Sequence, residues 1–541
     1  MNRRSFIRKL IYLSLILALL VPLSYFSQPA TVAVGDQPNA GDNAGGKLAR
    51  MRTEYGISQA NLGEIDPAGE TIKLATLGLR GVAANLLWEK ANTAKMKEDW
   101  EGVHATLDQL AKLEPHFISV WRYQAWNVSY NIAVEFDDYH QRYFWIKEGI
   151  KYLRKGSRYN ELEPRLVYDV GWFTGHKIGV ADEKHQYREL FRIDDDEEFP
   201  DHRQRPQNRR DNWLVGQEYF EEAIALVEDR GASIHAMNPF LFFSEPAMCQ
   251  IDYAIALQED GVFEEKARVA WTDADDRWAK FGLRDMPTSD NLIIRLAEYE
   301  AVQERKAKTI EQLDALSPDL RDKMVAEKRN KLSAEERAAL DTPPASRTDE
   351  EQQLVADASM KILVRHDEFA NRVDEAHRAQ AKDLAAEAAR LELLATVIQR
   401  DRDVVNYTYW RNRCKMEKSE SALEARRLMH QAKADYDETR IDLARQEYEE
   451  AFTHWRKTID EFPSFVDDAI GAETIHQALA GYADVLKQLD QPFPRDFILK
   501  DVLFSAMRRN PQALPMEYLR ASFEDAPVPP RPPGRPPGPG P

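Results

Sequence analysis

The sequence predicts an all-α fold, and three observations carry that prediction. Apolar residues recur at helical spacing, as in Trp121, Ala125, Val128 and Ile132, which form a stripe on one helix face. One set of offsets occurs twice at distant places. Trp100, Val103, Leu107, Leu110 and Pro115 stand at zero, three, seven, ten and fifteen, and Tyr448, Ala451, Trp455, Thr458 and Pro463 repeat those steps. From about Asn291 the composition turns to Ala, Glu, Lys, Arg, Leu and Gln, residues that favour long exposed helices.

A chain of 541 residues is too long for one compact core, so several domains or an extended array are expected. The formal net charge of −18 argues against nucleic acid as a partner, because a phosphate backbone needs a basic footprint. The two cysteines, Cys249 and Cys414, imply no disulfide framework.

Residues 1–26 read as a targeting segment. Arg3, Arg4, Arg8 and Lys9 precede the uncharged apolar run from Leu10 to Phe26. It serves either as a cleaved signal peptide, with Thr31 and Ala33 as a mediocre cleavage pair, or as an uncleaved membrane anchor at the short limit of roughly 17–25 residues. With its charges on the N-terminal side, an anchor would leave the body on the extracytoplasmic, periplasmic side of the cytoplasmic membrane. Arg3 to Arg8 also resembles a twin-arginine export signal, with an ordinary basic leader as the alternative. Residues 27–70, rich in Gly, Pro, Ala and Asn at their start, read as a flexible spacer.

Residues 71–290 read as irregular helical repeats. In the stretch 86–115, Leu87 and the small Ala91 stand upstream of Trp100 at fitting distances. Helix-sized pieces follow: 121–136, then 145–156 with Ile146, Gly149, Leu153 and Gly156, then 166–179, whose Gly171 and Gly175 permit close helix approach. An insertion at about 181–212 carries the acidic run Asp194 to Glu198 and the basic run His202 to Arg210, which suggests a solvated surface excursion. The theme returns at Phe220, Ala223 and Val227, and again with Ala254, Ala267, Trp271 and Ala274. Residues 291–422 form a charged long-helix segment in which Ile362, Phe369, Val373, Ala376, Leu384, Ala388, Leu391, Ala395 and Ile398 would share one face. It suits either a long helical hairpin or a coiled coil. Residues 423–525 supply C-terminal repeat-like helices, with Ile475, Leu479, Tyr482 and Leu486 on one face of the last. The tail 526–541, almost wholly Pro, Gly and Arg, is expected to be disordered with polyproline II character.

The stretch Leu86 to Pro115 resembles one tetratricopeptide repeat: an aromatic or large apolar residue, a small residue, a large apolar residue, a small residue and a helix-ending proline. Tyr448, Ala451, Trp455 and Pro463 resemble the second half of another, although Thr439 stands where its first helix should carry a small residue. The resemblance implies an irregular α-solenoid, since such helix pairs bury their apolar faces only by stacking. Its concave face would receive a peptide or helix of a partner protein. The layout of anchor, spacer and repeat body also resembles exported or membrane-anchored bacterial repeat proteins.

No catalytic signature stands out: there is no GxSxG, phosphate loop, GxGxxG, HExxH or CxxC. His140, His176 and His185, with Asp137, Asp138 and Asp182 nearby, are weak metal candidates without a recognised ligand spacing. Trp88, Trp121, Trp126, Trp145, Trp172 and Trp213 are expected in the core between helices. The sequence thus predicts no cofactor and no enzyme. It predicts a membrane-tethered or exported scaffold for protein–protein interaction, the alternatives being a self-associating envelope protein or a metal-dependent hydrolase using the His/Asp cluster.

Overall fold

The computed structural model describes residues 18, 46–54, 80–196, 200–343, 346–467 and 469–509. The expected leader or anchor (1–26, Ala18 apart) and the tail (526–541) lie outside the described residues, as does most of the spacer. Within the spacer, helix α1 (Lys47–Glu54) forms where irregular chain was expected. Its sequence KLARMRTE lacks Gly and Pro and is built mainly of good helix formers. Among the described residues no helix is long and apolar enough to cross a membrane.

The described fold is all-α, its strands among the described residues being a two-residue antiparallel pair, Met286–Pro287 with Ile293–Ile294. It divides into two compact units. One gathers Met1–Asn238, Phe242–Arg277 and Cys414–Pro541, and the other Pro239–Leu241 and Trp278–Arg413.

In the first unit, α2 (Arg80–Met96) and α3 (Trp100–Leu113) form a hairpin whose turn holds Glu98 at φ 57°. Asp99 caps α3 by accepting the Gly102 amide at 2.9 Å. Helices α4 (Ile118–Trp126) and α5 (Tyr139–Tyr159) follow, α4 running on into a π-helical turn, Asn127–Ile132. Helix α6 (Pro164–Trp172) likewise runs into a π turn, Phe173–Lys177, before α7 (Lys184–Ile193) and α8 (Asn212–Arg230). Helices α9 (Pro239–Glu259) and α10 (Glu265–Gly282) complete this stretch of chain. The expected close approach occurs where α6 crosses α8. A methyl group on Gly216 would lie 3.0 Å from the Gly171 carbonyl and 3.1 Å from the Gly175 amide. Gly216→Val should therefore force these helices apart at a cost of about 1–3 kcal/mol. An unchanged urea midpoint would show that the crossing yields.

The stretch 181–212 is only in part the solvated excursion its charge suggested: most of the basic run, Arg203 and Arg209 included, is exposed, but the helix before it packs inward. Tyr187, Arg188 and Phe191 of α7 are buried. Arg188 donates to both Asp260 carboxylate oxygens, at 3.1 and 2.9 Å, and Arg192 bridges Asp211 and Asp260 at 3.1 and 3.0 Å. Asp194 and Asp196 of the acidic run face Lys147 of α5, at 2.9 and 3.0 Å, while Asp195 between them is exposed. Some of the charges that look solvated in sequence, Arg188, Arg192, Asp194 and Asp196, are partners across packed elements.

In the second unit, α11 (Tyr299–Ala315), α12 (Leu320–Asn330), α13 (Ala334–Asp341), α14 (Asp349–Ile362), α15 (His366–Arg372) and α16 (Arg378–Val404) replace the single continuous face expected from Ile362 to Ile398. The face is broken twice: Leu363 at ψ 122° and Arg365 at ψ 149° separate α14 from α15, and the second break, before α16, has a local cause. Val373 is extended at ψ 147°, and Asp374 captures the His377 amide at 3.0 Å, so the long helix starts only at Arg378. Phe369 and Val373 still reach the core, from α15 and its end, whereas Ala376 is exposed. Along α16 the buried face is Ala381, Ala385, Ala388, Leu391, Ala395 and Ile398, small enough for α11 to pack closely against it. Capping boxes start α13 (Ser333 with Glu336) and α14 (Thr348 with Glu351).

Helix α17 (Tyr407–Glu417) leads back into the first unit, where α18 (Glu420–Asp437) and α19 (Ile441–Glu461) form a second hairpin, followed by α20 (Ala469–Gln488) and α21 (Lys500–Arg509). Ile475, Leu479, Tyr482 and Leu486 of α20 are all buried in its core. Helices α3 and α19 end alike. Glu114 (φ −128°, ψ 72°) and Phe462 (φ −123°, ψ 70°) stop them because the ring of the following proline excludes the helical conformation. They start differently. Helix α3 begins at Trp100, but α19 begins at Ile441, about two turns before Tyr448, which leaves Thr439 in the turn at φ 64°.

Candidate recognition cleft

The histidines marked by sequence do not converge. His140 is exposed and pairs with its neighbour Asp138 at 3.0 Å. His185, also exposed, lies 3.7 Å from Asp260. His176 is stacked flat on Trp172 (centroids 3.9 Å apart) with the Trp213 edge against it. Burial pushes its pKa down to about 4, which keeps the imidazole neutral. Among the described residues no group of three or more His, Cys, Asp and Glu side chains is arranged to hold a metal ion. Cys249 and Cys414 are both buried, and no disulfide joins them.

The repeat positions sort by burial. Ala91, Val103, Leu107, Leu110, Pro115, Tyr448, Ala451 and Trp455 are buried, Leu87 and Trp100 are half-buried, and Pro463 is exposed. The Pro115 carbonyl accepts hydrogen bonds from the Trp121 indole at 2.8 Å and the Asn160 amide at 2.9 Å, which ties the end of α3 to α4 and α5.

The tryptophans divide in a way the sequence reading missed. Trp121 and Trp213 are core, and Trp88 and Trp145 are half-buried, but Trp126 is 42 % and Trp172 38 % exposed. These two flank a cleft of about 710 Å³ between α4 and α6, at the point where each helix widens into its π turn. The π turn shifts the side-chain register by one residue and is a common device at binding sites. One wall is a row of rings. Tyr123 and Trp126 have centroids 6.3 Å apart, and Trp126 and Tyr130 stack at 6.1 Å. Phe173 meets Tyr130 edge-on at 5.7 Å, and the Trp172 side chain hydrogen-bonds the Tyr130 hydroxyl. Burial raises the Tyr130 pKa, so the phenol stays protonated.

Cations top the row. Lys95 Nζ lies 5.4 Å from the Tyr123 centroid and 6.0 Å from that of Trp126, and Lys177 Nζ lies 4.0 Å from that of Tyr130. Desolvation lowers the Lys177 pKa. Arg122 and Asp169 form an ion pair in the lining, with Arg122 Nη2 3.3 Å from Asp169 Oδ1. Burial raises the Asp169 pKa in spite of that arginine. Below, the Tyr168 hydroxyl donates to the buried Glu245 carboxyl at 3.3 Å.

This arrangement has no nucleophile with its base and no metal ligand set. It can stack flat groups and place positive charge beside them. A sequence signal for it existed. Trp126 and Tyr130 are four apart yet off the buried stripe of Trp121, Ala125, Val128 and Ile132, so they had to face elsewhere. Compared with known proteins, the chain matches no protein-family model and no curated protein.

Proposed function

We propose that this chain is a non-catalytic helical-repeat scaffold that binds other proteins through the cleft between α4 and α6, its body tethered by, or exported through, its N-terminal apolar segment. The finer fold reading belongs to the same proposal: an irregular, tetratricopeptide-like stack of helix pairs carrying a separate charged helical unit. Two features support it, the offsets shared by Trp100 to Pro115 and Tyr448 to Pro463 and the matched ends of α3 and α19.

The observation that carries the binding role is the exposure of Trp126 and Trp172 on the walls of one cleft. Large aromatics held at the surface by their own helices are typical anchors of protein interfaces. The test is crosslinking and pull-down of the full chain from native envelope, with Trp126→Ala and Trp172→Ala in parallel. The expected result is a reproducible protein that wild type retains and both variants lose. A partner set unchanged by either substitution would sink the reading.

A further inference from the structure

We infer that in the chain free of partner the occupant of the cleft is its own acidic, proline-rich segment Glu524 to Pro533, EDAPVPPRPP, which lies outside the described residues and which a partner protein displaces. The inference rests on the binding role of the cleft proposed above and names the ligand chemistry. Two observations carry it.

The first is shape. The wall formed by Tyr123, Trp126 and Tyr130 is a row of rings with neighbouring centroids 6.3 and 6.1 Å apart. A polyproline II helix rises 3.1 Å per residue and turns every three residues, so one turn of about 9 Å fits along that row. Such helices dock on aromatic-lined grooves because proline rings stack on flat faces and the extended backbone is already ordered. A partner helix would instead need an aliphatic trough, and β-addition needs a strand edge, which α4 and α6 do not offer.

The second is charge. Lys95 and Lys177 already sit over the rings, which disfavours a cationic ligand there and favours an anionic one beside the row. Glu524 and Asp525 immediately precede the prolines. Arg531 follows Asp525 by six residues, about 19 Å of polyproline II, which carries it past the ring row.

The experiment measures anisotropy of a labelled peptide spanning 523–534 against the full chain. In wild type the covalently attached segment competes. A full chain carrying Pro527→Ser, Pro529→Ser and Pro530→Ser should therefore bind the peptide at least about fivefold more tightly than wild type does. Adding Trp126→Ala should weaken that binding about tenfold, and circular dichroism should be unchanged because Trp126 is exposed. Lys95→Glu should also weaken it and should favour a peptide carrying Glu524→Lys and Asp525→Lys. Three results would overturn the inference: no saturable binding to the proline-to-serine chain, binding indifferent to Trp126→Ala, or displacement of the peptide by an uncharged oligosaccharide at lower concentration than by unlabelled peptide. If the peptide fails while the pull-down still yields a Trp126-dependent partner, the cleft binds a different protein. If neither depends on Trp126, the cleft has no binding role.

Discussion

Replacing Trp455 by alanine should lower stability by about 3–5 kcal/mol, whereas the same change at Trp100 should cost roughly 1–2 kcal/mol. The two residues look alike in sequence, each an aromatic within the same set of offsets, but their environments differ. Trp455 is fully buried, stacks on Phe465 with ring planes 5° apart and centroids 5.6 Å apart, and donates its indole N–H to the Met429 sulfur at 2.9 Å. The Arg426 guanidinium lies 5.3 Å from its ring centroid. Alanine there leaves a cavity lined by groups that have lost their partner. Trp100 is half-buried at the first turn of α3, so water already solvates part of the ring and fills the space it leaves. The measurement is the urea midpoint of each variant against wild type. Equal losses would mean that Trp100 closes the hairpin more firmly than its exposure suggests.

The contrast marks what the sequence could and could not convey. The offsets from Trp100 to Pro115 and from Tyr448 to Pro463 identified helical faces, and the interior positions Val103, Leu107, Ala451 and Trp455 are buried. A period of 3.6 residues is a local property, legible one helix at a time. Where a helix begins is not set by the period, so Trp100 at the first turn of α3 is half-buried while Tyr448, about two turns inside α19, is buried although their offsets agree. The expected continuous face from Ile362 to Ile398 failed for a related reason. Periodicity runs through Val373 without registering that its extended backbone ends α15 and that Asp374 captures the His377 amide, which delays the next helix to Arg378. Charge misled for part of 181–212, because a run of charges does not show that Arg188 and Arg192 fold back on Asp211, just before α8, and on Asp260, just after α9. The cleft was half legible. Its tryptophans Trp126 and Trp172 were noted, but assigning them to the core overlooked that two helical stripes on one segment cannot face the same way.

The last expected result concerns pH and sets two buried groups against each other. His176 has its pKa pushed down to about 4 by burial, below the ordinary value of 6.5. The unfolded chain therefore takes up a proton there before the folded one does, and the contribution of His176 to stability is lost as pH falls from about 6.5 toward 4. Glu245 is shifted the other way. Burial raises its pKa from 4.5 to about 7, outweighing the hydrogen bond from Tyr168, so the folded state holds a proton that the unfolded chain has released. Its contribution is present below about 4.5 and is lost as pH rises toward 7. Each shift corresponds to at most about 3 kcal/mol, and the two windows overlap between pH 4.5 and 6.5. In that interval the opposite slopes cancel within wild type. Glu245→Gln keeps an acceptor for Tyr168 and should expose the histidine slope, so its stability relative to wild type rises with pH. His176→Phe keeps the stack on Trp172, 3.9 Å from the imidazole, and should expose the opposite slope. The double variant should return to the flat profile. His202, also lowered to about 4, and Glu447, also raised to about 7, titrate alike in all four proteins and drop out of the differences. Urea midpoints followed by tryptophan fluorescence at half-unit steps would decide it, and parallel profiles for the two single variants would show that neither group is shifted in the folded state.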